Sequence, residues 1–177
     1  SLSYFGRLDW NYDSRYYITA TMRYDGASNF ASSHKWAPFP SAAVRWNVSN
    51  ERFMKTLPWG NNLSLRFSAG RTGNDAISAY NSLAALSSST GGYIFDGTQP
   101  VSFYQSRLNQ PELTWEKTDS YNLAIEGSFL RERVSFTAEA YKSYTSDLLL
   151  QVQVSQQTGF HNHMMNLGKV SNRGVEF

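Results

Sequence analysis

The sequence predicts an all-β chain, an antiparallel transmembrane β-barrel segment of about seven strands. Three observations indicate this fold class: a repeated two-residue alternation of apolar and polar side chains, a division of the connections into short and long ones, and aromatic residues at the strand ends. The alternation is clearest in RYYITATMRYDG, residues 15–26. A period of two gives an extended strand with one apolar face and one polar face.

The same alternation recurs along the chain and predicts each strand in turn. The stretches that carry it are 2–12, 15–26, 40–48, 63–70, 120–129, 133–140 and, more weakly, 172–177. Residues 50–57, NERFMKTL, contain at most a turn or two of helical period. Lys142 interrupts the apolar side of the sixth strand, so that strand either carries a lysine near its end or changes register at a bulge.

The connections between these strands fall mainly into two kinds. Residues 13–14 and 130–132 join strands tightly, the links at 26–38, 72–118 and 148–171 are long, and the link at 49–61 is intermediate. If successive strands are antiparallel neighbours, the short links all lie at one end of the sheet and the long links at the other. Outer-membrane barrels have this asymmetry, with short periplasmic turns and long extracellular loops.

Aromatic residues lie at the ends of the predicted apolar faces, with smaller aliphatic residues between them. Two such belts are typical of the two membrane–water interfaces, so lipid is the predicted cover of the apolar face. The residues predicted to face lipid are Tyr4, Leu8, Trp10, Tyr16, Ile18, Ala20, Met22, Tyr24, Trp46, Leu123, Ile125 and Phe129.

A soluble carbohydrate-binding β-sandwich is the alternative, because alternating strands and glycine-rich turns also describe that fold. The long stretch between the fourth and fifth strands and the aromatic belts both argue against it. Composition restricts the other classes of protein. Cysteine is absent, and the net charge of +2 is too small and too scattered to indicate a nucleic-acid partner.

A series of short motifs also runs through the chain in order. RYYITATMRYDGASNF is close to RY-x-x-T-A-x-x-R-x-D-G-S-S-x-F, and residues 36–41 follow W-x-x-F-P-S. Residues 65–74 follow L-R-x-S-x-G-x-T-G-N, and residues 109–118 follow N-P-x-L-x-W-E-x-T with Gln110 as one extra residue. YKSYTSDLLL and NLGKVSNRGVEF complete the series. Together these motifs resemble the SusC/RagA type of TonB-dependent transporters.

The resemblance implies a barrel of roughly 22 strands that encloses an N-terminal plug. Residues 1–177 would then be a central part of this barrel, truncated at both ends and without the plug. The implied localisation is the outer membrane of a Gram-negative bacterium, in contact with its lipid. The implied partners are a SusD-like surface lipoprotein, TonB acting through the N-terminal region, and glycan, oligosaccharide or peptide cargo. Five arginines are expected to solvate the lumen and contact the plug, namely Arg7, Arg15, Arg23, Arg45 and Arg66.

No catalytic site, metal site or cofactor is predicted. His161 and His163 lie on one strand face, but no carboxylate partner is evident for a metal ion, so a solvated pair is the preferred interpretation. Glu112 and Glu116 are four residues apart in a segment led by a proline, a spacing that gives no geometry for the two carboxylates of a glycosidase, and the resemblance implies a structural role for Glu116. We therefore expect transport rather than catalysis.

Recognition is assigned to the long 72–118 link, whose aromatic residues stand among amide and hydroxyl side chains. Tyr80 and Phe103 belong to this aromatic set. The alternative is that these rings pack the link onto itself or onto the lipoprotein, and that Trp115 braces the following strand. The residues predicted to contact cargo or the lipoprotein are Tyr93, Phe95, Tyr104 and Trp115.

Overall fold

The computed structural model describes residues 1–54, 60–78, 82–90, 94, 96–130, 132–160 and 162–177. The predicted all-β chain is confirmed. The strands are β1 Leu2–Tyr12, β2 Tyr16–Gly26, β3 Trp36–Asn47, β4 Gly60–Asn74, β5 Ala85–Ser89, β6 Ser102–Arg107, β7 Glu116–Phe129, β8 Val134–Ser146, β9 Leu149–Gln153, β10 Asn162–Asn166 and β11 Lys169–Glu176. Short 3₁₀ turns occur at Val48–Asn50 and Gln156–Thr158. Within the described ranges, no helix is both long enough and apolar enough to cross a membrane.

Seven of these strands form one antiparallel sheet in the order β1-β2-β3-β4-β7-β8-β11. The other four form two hairpins, β5–β6 within the 72–118 link and β9–β10 within the 148–171 link. The sequence does not predict these hairpins, because their strands are only five or six residues long. An alternation this short does not stand out from the surrounding loop.

Five strands of the main sheet extend further toward the long-link end than the alternation predicts. β3 begins at Trp36, β4 continues to Asn74, β7 begins at Glu116, β8 continues to Ser146 and β11 begins at Lys169. In these extensions the two sets of alternate residues no longer differ clearly in polarity. The backbone pairing therefore continues past the point where the sequence pattern ends.

Pro38 and Pro40 lie inside β3, opposite Tyr24 and Met22 of β2. On the other side of β3, pairing with β4 begins only at Ser41. The first residues of β3 thus have one strand partner instead of two. A proline lacks the N–H that a second ladder would use, so its presence costs no hydrogen bond at this place.

The register places all the residues predicted to face lipid on one side of the sheet, which we call the apolar face. One row of cross-strand neighbours shows its continuity: Trp10, Ile18, Val44, Phe67, Leu123, Ala140 and Val175. Its large side chains are exposed in the isolated chain, Leu8 by 68% and Ile125 by 41%. An apolar surface of this extent requires a cover. The opposite side, which carries most of the arginines, is the polar face.

Aromatic residues on the apolar face stand eight residues apart on four strands. Eight residues span roughly 26 Å along a strand, or about 20 Å along the membrane normal at a tilt of about 40°. This is close to the height of the apolar band of a membrane barrel, about 25 Å. The pairs are Tyr4 and Tyr12, Tyr16 and Tyr24, Tyr121 and Phe129, and Phe136 and Tyr144.

The short-link end is held together by side chains as well as by tight turns. Asp13 and Ser14 both adopt left-handed backbone conformations, with φ of 51° and 52°. The side-chain amides of Asn47 and Asn50 donate to the carbonyl of Ser14 at 3.1 and 2.7 Å. The β1–β2 turn is therefore tied to the end of β3. Of the weak helical pattern at 50–57, residues 55–57 lie outside the described part.

Glu51 links the same end to the aromatic belt. Its carboxylate accepts hydrogen bonds from the hydroxyl of Tyr16 at 2.7 Å and from the indole N–H of Trp46 at 3.2 Å. These bonds, aided by the Arg15 cation, hold the pKa of the Glu51 carboxyl below its ordinary value. The rings of Tyr16 and Trp46 stack at 6.4 Å, so the belt and the turn support each other.

Candidate functional site

A compact apolar cluster lies at the long-link end of the sheet. It joins the β2–β3 link, the start of β3 and the segment before β7. Partly buried Ile77, from the beginning of the 72–118 link, and Leu149 and Met164, from the 148–171 link, also pack against it. All three long links therefore converge here. The buried members of this cluster are Ala27, Phe30, Ala37, Phe39, Leu113 and Trp115.

Trp115 lies inside this cluster. It is only 4% exposed, and its ring lies 5.2 Å from that of Phe30 and 5.3 Å, edge-on, from that of Phe39. Its indole N–H donates to the carbonyl of Lys35 at 3.3 Å. These contacts assign Trp115 a packing role among the described residues, in keeping with the bracing alternative raised from the sequence.

Gln110, the extra residue in the N-P-x-L-x-W-E motif, fastens two long links to each other. It is 7% exposed, and its backbone N–H donates to the carbonyl of Ser82 at 2.8 Å. In the side-chain orientation in which both the amide nitrogen and the amide oxygen have hydrogen-bond partners, the nitrogen donates to the carbonyl of Met164 at 2.6 Å. The amide oxygen then accepts from the N–H of Met164 at 3.2 Å and from Nδ1 of His163 at 3.0 Å. The amide thereby pairs with β10 much as a neighbouring strand would.

Asn166 makes a second connection between the same two links. Its side-chain oxygen accepts from the N–H of Thr114 at 2.8 Å, while its amide nitrogen donates to the carbonyls of Thr114 and Asp147, each at 2.8 Å. The Glu116 carboxylate accepts from the N–H of Leu149 at 3.1 Å. Glu116 thus has a structural partner. The sequence analysis gave Asn166 no role of its own, although it is the first residue of the NLGKVSNRGVEF motif.

Two partly open cavities flank the contact between Gln110 and Met164. They measure about 370 and 470 Å³ and share these two residues in their walls. Their walls contain both polar and apolar side chains, which suits a ligand that has both polar and apolar parts. The first cavity is lined further by Pro111, Leu113 and His163, and the second by Ile77, Arg107, Gln151 and Asn162.

The predicted contact residues of the 72–118 link have different placements. Tyr104 lies on β6 opposite Ser87, and it is 54% exposed. Phe103 is 75% exposed on the other side of the same hairpin. Tyr93, Phe95, Tyr80 and His161 lie outside the described residues. In the part of the chain that the structure describes, no three His, Asp or Glu side chains are grouped to hold a metal ion.

The polar face carries the arginines predicted to be lumenal. Arg45 and Arg66 are direct cross-strand partners, and Glu126 pairs with both, at 3.2 and 3.4 Å. Ser64 donates to the same carboxylate at 3.3 Å. A single carboxylate between two guanidinium groups leaves this patch positive.

A seven-stranded antiparallel meander with one continuous apolar face, aromatic belts and all its long links at one end defines a part of a membrane β-barrel. Residues 1–177 match the family model described as "TonB dependent receptor-like, beta-barrel". The chain belongs to this family, and its localisation is the outer membrane of a Gram-negative bacterium. The β-sandwich alternative is wrong.

Relatives and solved structures agree with this assignment. The chain is 37% identical over 175 residues to TonB-dependent receptor P26 of Formosa agariphila, and 35% identical over 180 residues to TonB-dependent receptor SusC of Bacteroides thetaiotaomicron. Each alignment covers 99% of this chain and 18% of the relative. The chain therefore spans less than a fifth of the length of these curated relatives. The resemblance to the SusC/RagA type is confirmed.

Among solved structures, the RagAB peptide importer in its closed-closed state matches with a TM-score of 0.88 and 29% identity. The match covers 98% of this chain and 18% of that chain. The siderophore receptor PirA from Pseudomonas aeruginosa matches with a TM-score of 0.62 and 14% identity, over 98% of this chain and 30% of that one. At that identity the second likeness shows the fold alone.

Proposed function

We propose that the protein containing this chain is a TonB-dependent transporter that imports glycans, oligosaccharides or peptides across the outer membrane. The observation that carries the proposal is the match to the RagAB peptide importer over 98% of the chain, which includes the long links as well as the sheet. The chain would supply part of the barrel wall and part of the extracellular mouth. We propose that it acts by binding and passage, without catalysis.

In this proposal the apolar face contacts lipid and the polar face contacts the lumen and the plug. The aromatic belts support the first part, because rings of this kind favour the two interfaces. The Arg45–Glu126–Arg66 group supports the second, since it is a charged surface on the side opposite the apolar face.

We further propose that a SusD-like lipoprotein covers the long-link end and that TonB engages the N-terminal region of the whole protein. The β5–β6 hairpin is the best candidate surface for the lipoprotein or the cargo. Leu86, Phe103 and Tyr104 are all exposed on it. Exposed apolar side chains on a hairpin that stands apart from the main sheet are typical of an interaction surface.

The orientation in the membrane gives a direct prediction. Cysteines introduced one at a time into the full-length transporter, as Ser88→Cys and Ser14→Cys, should differ in their reaction with a membrane-impermeant thiol reagent on intact cells. Ser88 lies on β5 in a long link, and Ser14 lies in a short turn at the opposite end. We expect labelling at position 88 alone. Labelling at position 14 alone would invert the topology, and labelling of both after lysis is the control.

Transport itself is tested by uptake in cells that lack the full-length protein, with panels of oligosaccharides and peptides and with TonB present or absent. The proposal requires that uptake of at least one class depends on both proteins. If uptake of every member of both panels is unchanged, the proposal is wrong.

Tyr104→Ala should lower uptake per surface molecule roughly fivefold, the effect of losing about 1 kcal/mol of binding. The matched control is Ser87→Ala, because Ser87 is the cross-strand partner of Tyr104 in the same hairpin. Tyr93→Ala tests the second predicted contact of this link. Normal uptake by the Tyr104 and Tyr93 variants at normal surface abundance would assign the link to packing instead of recognition.

A further inference from the structure

Two cations face each other on the apolar face near its extracellular end. Lys142 of β8 and Arg173 of β11 are direct cross-strand partners, and Tyr121 of β7 is the partner of Lys142 on its other side. Both cationic side chains are exposed. The β7–β8 and β8–β11 ladders run through this point without a change of register, so the bulge considered from the sequence is absent here. Lys142 therefore lies on the apolar face.

The aromatic belt shows where Lys142 and Arg173 lie along the membrane normal. Tyr121 and Tyr144 form the extracellular belt on β7 and β8, eight residues from Phe129 and Phe136 at the other end. Lys142 lies in the same cross-strand row as Tyr121. A lysine or arginine at belt level can extend its charged group to the lipid headgroups while its alkyl stem stays in the apolar layer.

Carboxylates do not neutralise this pair. On the apolar face at this end, Asp119 is already held by Arg71 through two bonds of 2.7 and 2.9 Å. Among the described residues, neither Lys142 nor Arg173 takes part in an ion pair. Lys169, four positions before Arg173 on β11, adds a further exposed cation on the same face.

The positive charge is local to one part of the sheet. At the same end of β1, β2 and β3, the apolar face carries Tyr4, Tyr24, Trp36 and Pro38 and no charged residue. The sequence thus places cations where β8 and β11 reach the interface and rings where β1 to β3 reach it. This end of the apolar face is therefore positive beside β8 and β11, where Lys117 of β7 also lies on the same face.

Like charges directly opposite each other on antiparallel strands are destabilising unless an anion lies between them. The guanidinium fork of arginine and the ammonium group of lysine are both well suited to phosphate oxygens. We propose that Lys142 and Arg173, assisted by Lys169, bind the phosphate of an anionic lipid in the outer leaflet, with its acyl chains against the apolar face. The proposal rests on the assignment of the apolar face to lipid made above.

The test uses the full-length transporter in nanodiscs of phosphatidylcholine that contain either a monophosphorylated lipid A or the same lipid without its phosphate. Lipid that stays bound to the purified protein is measured by mass spectrometry. Two basic side chains near an anionic headgroup should favour the phosphorylated form by about tenfold or more. The Lys142→Gln/Arg173→Gln variant should lose this preference.

The matched control is Arg52→Gln/Arg133→Gln, which removes the same charge from exposed residues at the short-link end. It should keep the preference. Equal retention of both lipids by the unaltered protein, or an unchanged preference in the Lys142/Arg173 variant, would overturn the proposal. Displacement of the lipid by an equal concentration of inorganic phosphate would also overturn it, since the site would then recognise free phosphate.

A second measurement separates this inference from the proposed function. A fluorophore attached at Leu123→Cys, one row toward the membrane centre, should be quenched by lipids brominated in their acyl chains. Quenching without a phosphate preference would overturn the phosphate site alone. Absence of quenching would overturn the assignment of the apolar face to lipid, and the phosphate site with it.

Discussion

Ala20→Arg is expected to destabilise the folded barrel by about 2–4 kcal/mol, whereas Thr21→Arg, one position further along β2, is expected to cost less than about 1 kcal/mol. Ala20 lies midway between Tyr16 and Tyr24, the two belt residues of its strand, and its cross-strand partners are Leu8 and Ala42. A guanidinium group there would lie at the centre of the apolar layer, too far from either interface to reach water easily.

Thr21 is the appropriate comparison because the same new side chain lies on the opposite face at nearly the same height. Its partners are Arg7 and Ser41. Arg7 is already paired with Asp9 at 2.8 Å, so a second cation opposite it brings only modest repulsion.

The measurement is the free energy of unfolding of each full-length variant in lipid vesicles, obtained by denaturant titration. It shows which of the two faces tolerates an arginine. Tyr24→Arg is a further control, because an arginine at the belt should cost less than one at the midplane. A larger loss for Thr21→Arg than for Ala20→Arg would reverse the assignment of the two faces.

The faces of the sheet could be predicted from the sequence because the two-residue period leaves little freedom. A slip of one residue in any ladder would move a whole apolar set to the other side, so the pattern specifies the register strongly. In the long row from Trp10 to Val175, each of the seven strands contributes a residue of its predicted apolar set to the same face. The ends of the strands were harder to predict from the sequence. Toward Asn74 and Glu116 the residues on the two faces have similar polarity, so the alternation disappears there.

The assembly of the long links could not be predicted in the same way. Gln110 contacts His163, and Asn166 contacts Thr114, across separations of 53 and 52 residues. No local period records a contact of this kind. The family motif did mark Trp115 as a residue of interest, but a motif does not show whether a ring is exposed or buried. Its position depends on Phe30 and Phe39, which come from another link and strand.

These contacts suggest how a barrel wall and a recognition surface can be combined. The apolar face of the sheet consists of rows of apolar side chains in which few substitutions are tolerated. The long links are joined by side chains such as Gln110 and Asn166. The cavities beside Gln110 lie between links that these side chains and the apolar cluster hold together. Changes in link length or in these contacts would alter the cavities without disturbing the rows of the sheet.

Trp115→Ala is expected to destabilise the long-link cluster by about 3–5 kcal/mol while leaving the main sheet folded. The indole is 4% exposed, packs on Phe30 and Phe39 and donates to the Lys35 carbonyl, so its removal leaves a cavity. The carbonyl keeps its other hydrogen bond, from the N–H of Ala27 at 2.9 Å. Hydrogen exchange of the full-length protein should become much faster in the 27–35 and 109–115 segments. Exchange in β2 should be unchanged.

Phe103→Ala is the matched control for Trp115→Ala, because that ring is 75% exposed and its loss should change exchange little. Trp115→Phe keeps a ring in the cluster but removes the N–H donor, and it should cost less than the alanine variant, with about 1 kcal/mol from the lost hydrogen bond. Unchanged exchange in both segments for Trp115→Ala would show that the cluster does not depend on this residue. If Trp115→Ala also lowers uptake, faster exchange would identify a positioning role, whereas Tyr104→Ala should lower uptake with exchange unaltered.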